Sequence, residues 1–274
     1  QIKELMPTQD RGLWISAINR IASIAYPSIL EALERGIISI SKSEFERGDR
    51  SSTLVEGFDR PALNERREIL TYQHRMHPEL SYFPRSRFYY ARPGQAEALC
   101  DNPKMNRDWA YQRYPHRNYW IEVEGKTYRG INEREAEVVM GELDKFVEYA
   151  QGNSPSDNPQ RRWEVACLTF YRGQERKLRE LLCRKTNSQH STHFEYKGVG
   201  ITLCTVDRFQ GQEADIVFLS MVQTQRVGFM DSPNRLNVAL TRARYQNVII
   251  GNQKYFLRQK VSEDLQQLAS LYKR

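Results

Sequence analysis

Thr205-Val206-Asp207-Arg208-Phe209-Gln210-Gly211-Gln212-Glu213-Ala214-Asp215 runs straight into the apolar Ile216-Val217-Phe218-Leu219-Ser220. An apolar run with no polar alternation reads as a strand buried on both faces, as in a parallel sheet covered by helices. A second apolar run, 201–206, places Thr205 and Asp207 at a strand's carboxyl end, where parallel sheets gather ligands. Gly211 permits a sharp turn, and Gln210 and Glu213 offer polar ends beside it. Taken alone, the segment reads equally well as a plain polar connection between two strands.

The same alternation of strand and helix continues on both sides of this segment. Ser232 and Pro233 form an N-cap and first turn, and the spacing predicts a helix from there to Arg244, then a strand over 248–251 and an amphipathic tail helix. Upstream, strands are expected over 119–123, 165–169 and 216–222, and a helix over 174–183. Asn132-Glu133-Arg134-Glu135 resembles a capping box opening a helix whose apolar side is Val138, Val139, Leu143, Phe146 and Val147. Residues 151–162 read as a turn-rich surface loop. The fold class is therefore α/β, a parallel sheet with helices on both faces. Residues 1–48 stand apart as a mainly helical lead, with Trp14, Ile15, Ile18 and Ile21 at helical spacing until Pro27 interrupts. Residues 41–66 are polar, with a short helix expected over 53–58. The division is 1–48 as a variable lead and 49–274 as the main domain.

The 274 residues suffice for one large or two small domains with a real core. Lys plus Arg (41) exceed Asp plus Glu (34), a formal charge of +7 that favours polyanionic partners without specifying one. The four cysteines are scattered with no C-x-x-C pair, which argues against a disulfide framework and for a reducing, cytoplasmic setting. No apolar run reaches the ~18 residues that cross a bilayer, so no membrane association is expected. The chain opens on Gln1-Ile2-Lys3-Glu4 without Met, as a fragment or a processed piece would.

Three segments bear on chemistry. Pro233-Asn234-Arg235-Leu236-Asn237-Val238-Ala239-Leu240-Thr241-Arg242-Ala243-Arg244 sets Arg235 and Arg242 seven residues apart, on one side of the expected helix. Two guanidiniums there suit phosphate oxygens; the plain alternative is a helix with solvated arginines. Tyr72-Gln73-His74-Arg75-Met76-His77-Pro78 is dense in groups that stack and donate. His74 and His77 lack a third ligand nearby, so no metal site is assigned and His77 reads as structural. Gly125-Lys126-Thr127 imitates the tail of a phosphate-binding loop, G-x-x-x-x-G-K-[ST]. The position that needs the first glycine is Trp120, inside an expected strand, so Gly125 reads as a turn residue.

Together these segments closely resemble the second RecA-like domain of superfamily 1 helicases, in the branch that holds the nonsense-mediated-decay helicase and its DNA-acting relatives. Gln73-His74-Arg75-Met76-His77-Pro78 is similar to that branch's Q-Y-R-M-H-P, and Leu168-Thr169-Phe170-Tyr171-Arg172-Gly173-Gln174 to its motif IV. Residues 205–220 resemble motif V, and 233–244 with 248–252 motif VI. The resemblance implies a RecA-like C-terminal motor half that is completed by an N-terminal RecA-like domain of the same polypeptide. That first domain would hold most of ATP and Mg2+. It further implies that Arg75 and Arg242 touch the γ-phosphate, that Glu213 lies near the ribose, and that Gln210 and Gly211 couple nucleotide to nucleic acid. His74 stands where the family stacks an aromatic ring on adenine. Thr169 and Thr205 match positions on the backbone of single-stranded DNA or RNA, and Arg235 is placed with them. Translocation 5′ to 3′ is the family expectation. The other reading is a non-catalytic module that docks nucleic acid or protein.

Overall fold

The computed structural model describes residues 70–89, 99–104, 108–189, 191–225, 228–258 and 261–271, with isolated positions before residue 70. In chain order the elements are β1 (Tyr72–Gln73), α1 (Pro78–Phe88), β2 (Cys100–Asp101), β3 (Asn118–Glu122), α2 (Glu133–Gln151), β4 (Glu164–Thr169), α3 (Arg172–Thr186), β5 (His193–Tyr196), β6 (Val199–Thr205), β7 (Ala214–Ser220), α4 (Pro233–Leu240), β8 (Ala243–Gly251), α5 (Gln253–Phe256) and α6 (Glu263–Leu271). The chain divides into two compact units, Gln1–Ile69 and Leu70–Arg274, and the second carries all of these elements. The helical lead expected over 1–48, its boundary with 49–274 and the helix expected over 53–58 fall almost wholly outside the described residues.

Among the described residues, six strands form one sheet in the order β3-β8-β7-β4-β6-β5. Every neighbouring pair is parallel except β5 with β6. All seven residues of β7 are buried, which is why its sequence shows no alternation. Its side chains nevertheless divide by the period of two. Ile216 and Phe218 enter a core with Leu143 and Phe146 of α2 and Leu178 of α3. Val217 and Leu219 enter another with Leu80 and Phe83 of α1, Leu236 of α4 and Leu265 of α6. The arrangement is a largely parallel sheet flanked by helices on both faces, a RecA-like core with helical extensions. Thr169 is in register with both Thr205 and Ser220, so the carboxyl ends of β4, β6 and β7 finish level and form one edge.

Three sequence-based expectations change. The helix opened by Ser232 and Pro233 stops at Leu240, with Thr241 as its C-cap, and β8 begins at Ala243. Alanine and arginine favour helix, but here the ladder wins: Ala214 N donates to Arg242 O (3.0 Å) and Ala214 pairs with Ala243. Arg242 therefore sits at a helix–strand junction rather than two turns after Arg235 on one helix. Strand β5 is an addition to the expected set. It is joined to β6 by Lys197 and Gly198, both at positive φ (50° and 81°), the backbone of a two-residue hairpin turn. Helix α1 is a second addition; Pro78 fills its first turn and His77 caps it, Nδ1 accepting from Glu79 N (3.2 Å). Burial and the charge of Arg117 hold the His77 pKa below its ordinary value, which keeps that nitrogen able to accept.

Candidate functional site

Arg75 is presented by a turn that Gln73 builds. The Gln73 Oε1 accepts from Arg75 N (3.0 Å) and Met76 N (2.8 Å), and its Nε2 donates to Met76 O (2.7 Å) and Asp101 Oδ1 (2.6 Å). One amide side chain thus closes the turn and pins it to β2, beside β1. His77 N donates to Arg244 O (3.1 Å), stitching the segment onto β8. From this mount Arg75 Nε donates to Glu213 Oε2 (2.6 Å) and Nη1 to Thr241 O (2.9 Å).

Arg242 reaches the same spot from the opposite end of the chain. Its Nη2 donates to Thr241 Oγ1 (2.9 Å), Nε to Val238 O (2.9 Å) and Nη1 to Gln212 O (3.3 Å). Among the described residues, every hydrogen-bond acceptor of Arg242 is a neutral oxygen. Burial and the charge of Arg75 push its pKa below the ordinary arginine value. Two guanidiniums share Thr241, and one of them bonds to no carboxylate among the described residues. They make a place where an anion relieves both repulsion and desolvation. Asn237 Nδ2 donates to Tyr89 OH (3.0 Å) on the same side of α4.

Glu213 is divided between two arginines. Oε2 accepts from Arg75, and Oε1 accepts from Arg244 Nε (2.9 Å) and Nη2 (2.6 Å). Burial raises the Glu213 pKa, but the bonds from Arg75 and Arg244 outweigh it and hold the carboxyl ionised, below its ordinary value. Arg244 Nη1 continues to Asp215 Oδ1 (3.3 Å). Asp215 has 0% exposure and is gripped bidentately by Arg161 Nη1 and Nη2 (both 2.7 Å), with Glu164 N donating to Oδ2 (2.8 Å).

The structure brings Arg75, Glu213 and Arg242 together. Gln210 is exposed at the end of a 3-10 turn (Val206–Phe209), followed by Gly211 at φ 84°. Arg235 lies at a different place, with Nε donating to Asp207 Oδ1 (3.0 Å). His74 is exposed, its Nδ1 2.9 Å from Asn102 Nδ2. Thr169 and Thr205 stand side by side at the carboxyl edge, but both are buried; Thr169 has 0% exposure and its Oγ1 accepts from Tyr171 N (3.4 Å). Gly125-Lys126-Thr127 serves structure: Thr127 Oγ1 donates to Val222 O, and a side chain at Gly125 would collide with Asn132.

Sequence reasoning missed Gln73, Arg161, Asp215, Thr241 and Arg244. The available signal was Glu213-x-Asp215, two carboxylates at strand spacing opposite Arg244. It carries meaning only once residue 243 is known to begin a strand.

A second polar cluster lies at the carboxyl edge of the sheet, by the level ends of β4 and β7 at Thr169 and Ser220. Asn132 caps α2, its Oδ1 accepting from Glu135 N (3.3 Å), but the reciprocal half of a capping box is absent. Asn132 N donates to Gln174 Oε1 (2.8 Å) instead, and the Glu135 carboxylate accepts from Ser220 Oγ (2.7 Å), Val222 N (2.8 Å) and Asn132 Nδ2 (2.9 Å). Val222 has φ 69°, which is strained for a β-branched residue. Burial pushes the Glu135 pKa up to about 7 despite these bonds. A groove of about 560 Å³ along the outer strand β3, between Glu142 and Lys254, shares no residue with the arginine cluster.

Residues 42–254 match the sequence profile of a family described as "AAA domain". The "Regulator of nonsense transcripts 1 homolog" of Drosophila melanogaster is 31% identical over 201 residues, 70% of this chain and 16% of that protein. The Arabidopsis thaliana protein of the same name is 32% identical over 69% of this chain and 15% of its own length. "Helicase sen1" of Schizosaccharomyces pombe is 32% identical over 67% of this chain and 10% of its own length. The chain thus spans 10–16% of the length of these relatives. It belongs to the AAA domain family, as a helicase-like domain related to the superfamily 1 helicases that include regulator of nonsense transcripts 1 and Sen1.

Proposed function

We propose that this chain is the C-terminal half of an ATP-dependent nucleic-acid translocase, completed by an N-terminal RecA-like domain that holds most of ATP and Mg2+. The observation that carries the reading is the convergence of Arg75 and Arg242 on Thr241, with Arg242 bonded only to neutral oxygens among the described residues. Guanidiniums so placed stabilise charge on a transferring phosphoryl group. Glu213, between Arg75 and Arg244, is positioned to take a ribose hydroxyl. His74 offers a ring to the base, and Gln210 with Gly211 links the nucleotide side to the strand-binding edge. Single-stranded DNA or RNA would lie along that edge, held by its backbone rather than read by sequence. Arg235 and the exposed Gln210 are its accessible contacts; Thr169 and Thr205 would act there after a local opening.

The test uses the full-length protein. Arg242→Ala is expected to lower nucleic-acid-stimulated ATP turnover by about 10³-fold, the scale of an arginine finger, while strand affinity changes less than about threefold. Near-normal turnover would refute the reading. The second reading is a non-catalytic docking module; Gly125 and Thr127 are committed to packing, and the lack of a phosphate loop there fits both readings. Under it Arg242→Ala leaves no turnover to lose, because the wild type has none.

A further inference from the structure

The Glu213 carboxylate is held on its two oxygens by unlike partners. Oε2 belongs to Arg75, whose mount is a short turn and whose Nη1 rests on the neutral Thr241 carbonyl. Oε1 belongs to Arg244, whose Nη1 runs on to Asp215. Asp215 has 0% exposure, and two bonds from Arg161 and one from Glu164 N fix it in place. Arg244 therefore bridges Glu213 to a second carboxylate that is buried and fixed, whereas Arg75 bridges it to a neutral carbonyl.

A nucleotide phosphate competes with Glu213 for Arg75, because both are anions that take bidentate contacts from a guanidinium. When Arg75 leaves, Oε2 is freed, and Oε1 stays where Arg244 holds it. We infer that Arg244 is a positioning residue: anchored through Asp215 on Arg161, it keeps Glu213 in place while Arg75 transfers from that carboxylate to the nucleotide. The inference rests on the motor reading above and extends it to a residue two positions past the proposed finger. Lysine cannot replace it fully, since one ammonium does not span Glu213 and Asp215 in the fork geometry.

The experiment measures KM and kcat for ATP, with thermal midpoints, on full-length Arg244→Met, Arg244→Lys and Arg242→Ala proteins. Arg244→Met is expected to raise KM about tenfold or more with kcat changed less than about threefold, and Arg244→Lys to fall between it and wild type. An Arg244 that served folding alone would lower the thermal midpoint and the active fraction, and so kcat, with KM unmoved; that result overturns the inference. If Arg242→Ala keeps its turnover, the motor reading fails, and the loss is distinguishable from failure of the Arg244 step alone. Should both Arg244 variants fail to fold, the wild-type protein crystallised with a non-hydrolysable ATP analogue and magnesium decides. Arg75 parted from Glu213 with Arg244 still on Oε1 supports the transfer; Arg244 parted from Glu213 overturns it.

Discussion

Glu135 shows how one residue ties local chemistry to stability. A carboxyl whose pKa in the fold, about 7, lies above its ordinary 4.5 binds its proton more tightly folded than unfolded. Its contribution is therefore fully present below pH 4.5 and is lost as pH rises through about 7. The swing is ~3 kcal/mol at most. Glu135→Gln keeps an acceptor for Ser220 and Val222 and removes the charge. Urea unfolding of wild type and Glu135→Gln at pH 5 and pH 8 should show the variant gaining stability relative to wild type at the higher pH. An identical pH dependence in the two proteins would mean that Glu135 is not the titrating group. Legibility at this scale follows sequence distance. Arg75, Glu213 and Arg242 stand out because each lies in a short recognisable run. Arg161 and Asp215, 54 residues apart, form a pair with no local signature.

At the scale of elements, two glycines inside helices make opposite predictions. Gly141, within α2, has open space where a β-carbon would project, so Gly141→Ala should stabilise by about 0.5–1 kcal/mol through helix propensity. Gly173, in the first turn of α3, would put a methyl 2.8 Å from Arg129 O and 2.9 Å from Gly130 O. Those atoms are backbone, so Gly173→Ala should destabilise by ~1–3 kcal/mol despite the same propensity gain. Urea midpoints measure both; equal shifts would show that the α3 terminus does not press on that loop. Strands β4, β6 and β7 and the caps Asn132 and Ser232 were legible, because continuous apolar runs and capping residues are local signals. The end of α4 was not. Thr241-Arg242-Ala243-Arg244 has helical preference, and only pairing with Ala214, far off in sequence, turns it into strand.

For the molecule as a whole, the sheet orders the site. Parallel pairing of β4, β6, β7 and β8 sets their carboxyl ends on one side, where the network of Glu135 and Ser220 and the level ends at Thr169 and Thr205 lie. The arginine cluster instead gathers where β7 and β8 begin, joined to the carboxyl edge by the short turn through Gln210 and Gly211. Under the proposed function, this layout would separate a nucleotide-facing group from a strand-facing edge by one connection. In that function Arg75 and Arg242 would act as a unit on one phosphate. The most direct measurement is kcat for ATP hydrolysis by the full-length protein carrying Arg75→Ala, Arg242→Ala and both. Residues acting as a unit are not additive, so each single change should cost about 10³-fold and the double change no more than about tenfold beyond either. Near-wild-type turnover in either single variant, or losses that simply multiply in the double, would contradict the account.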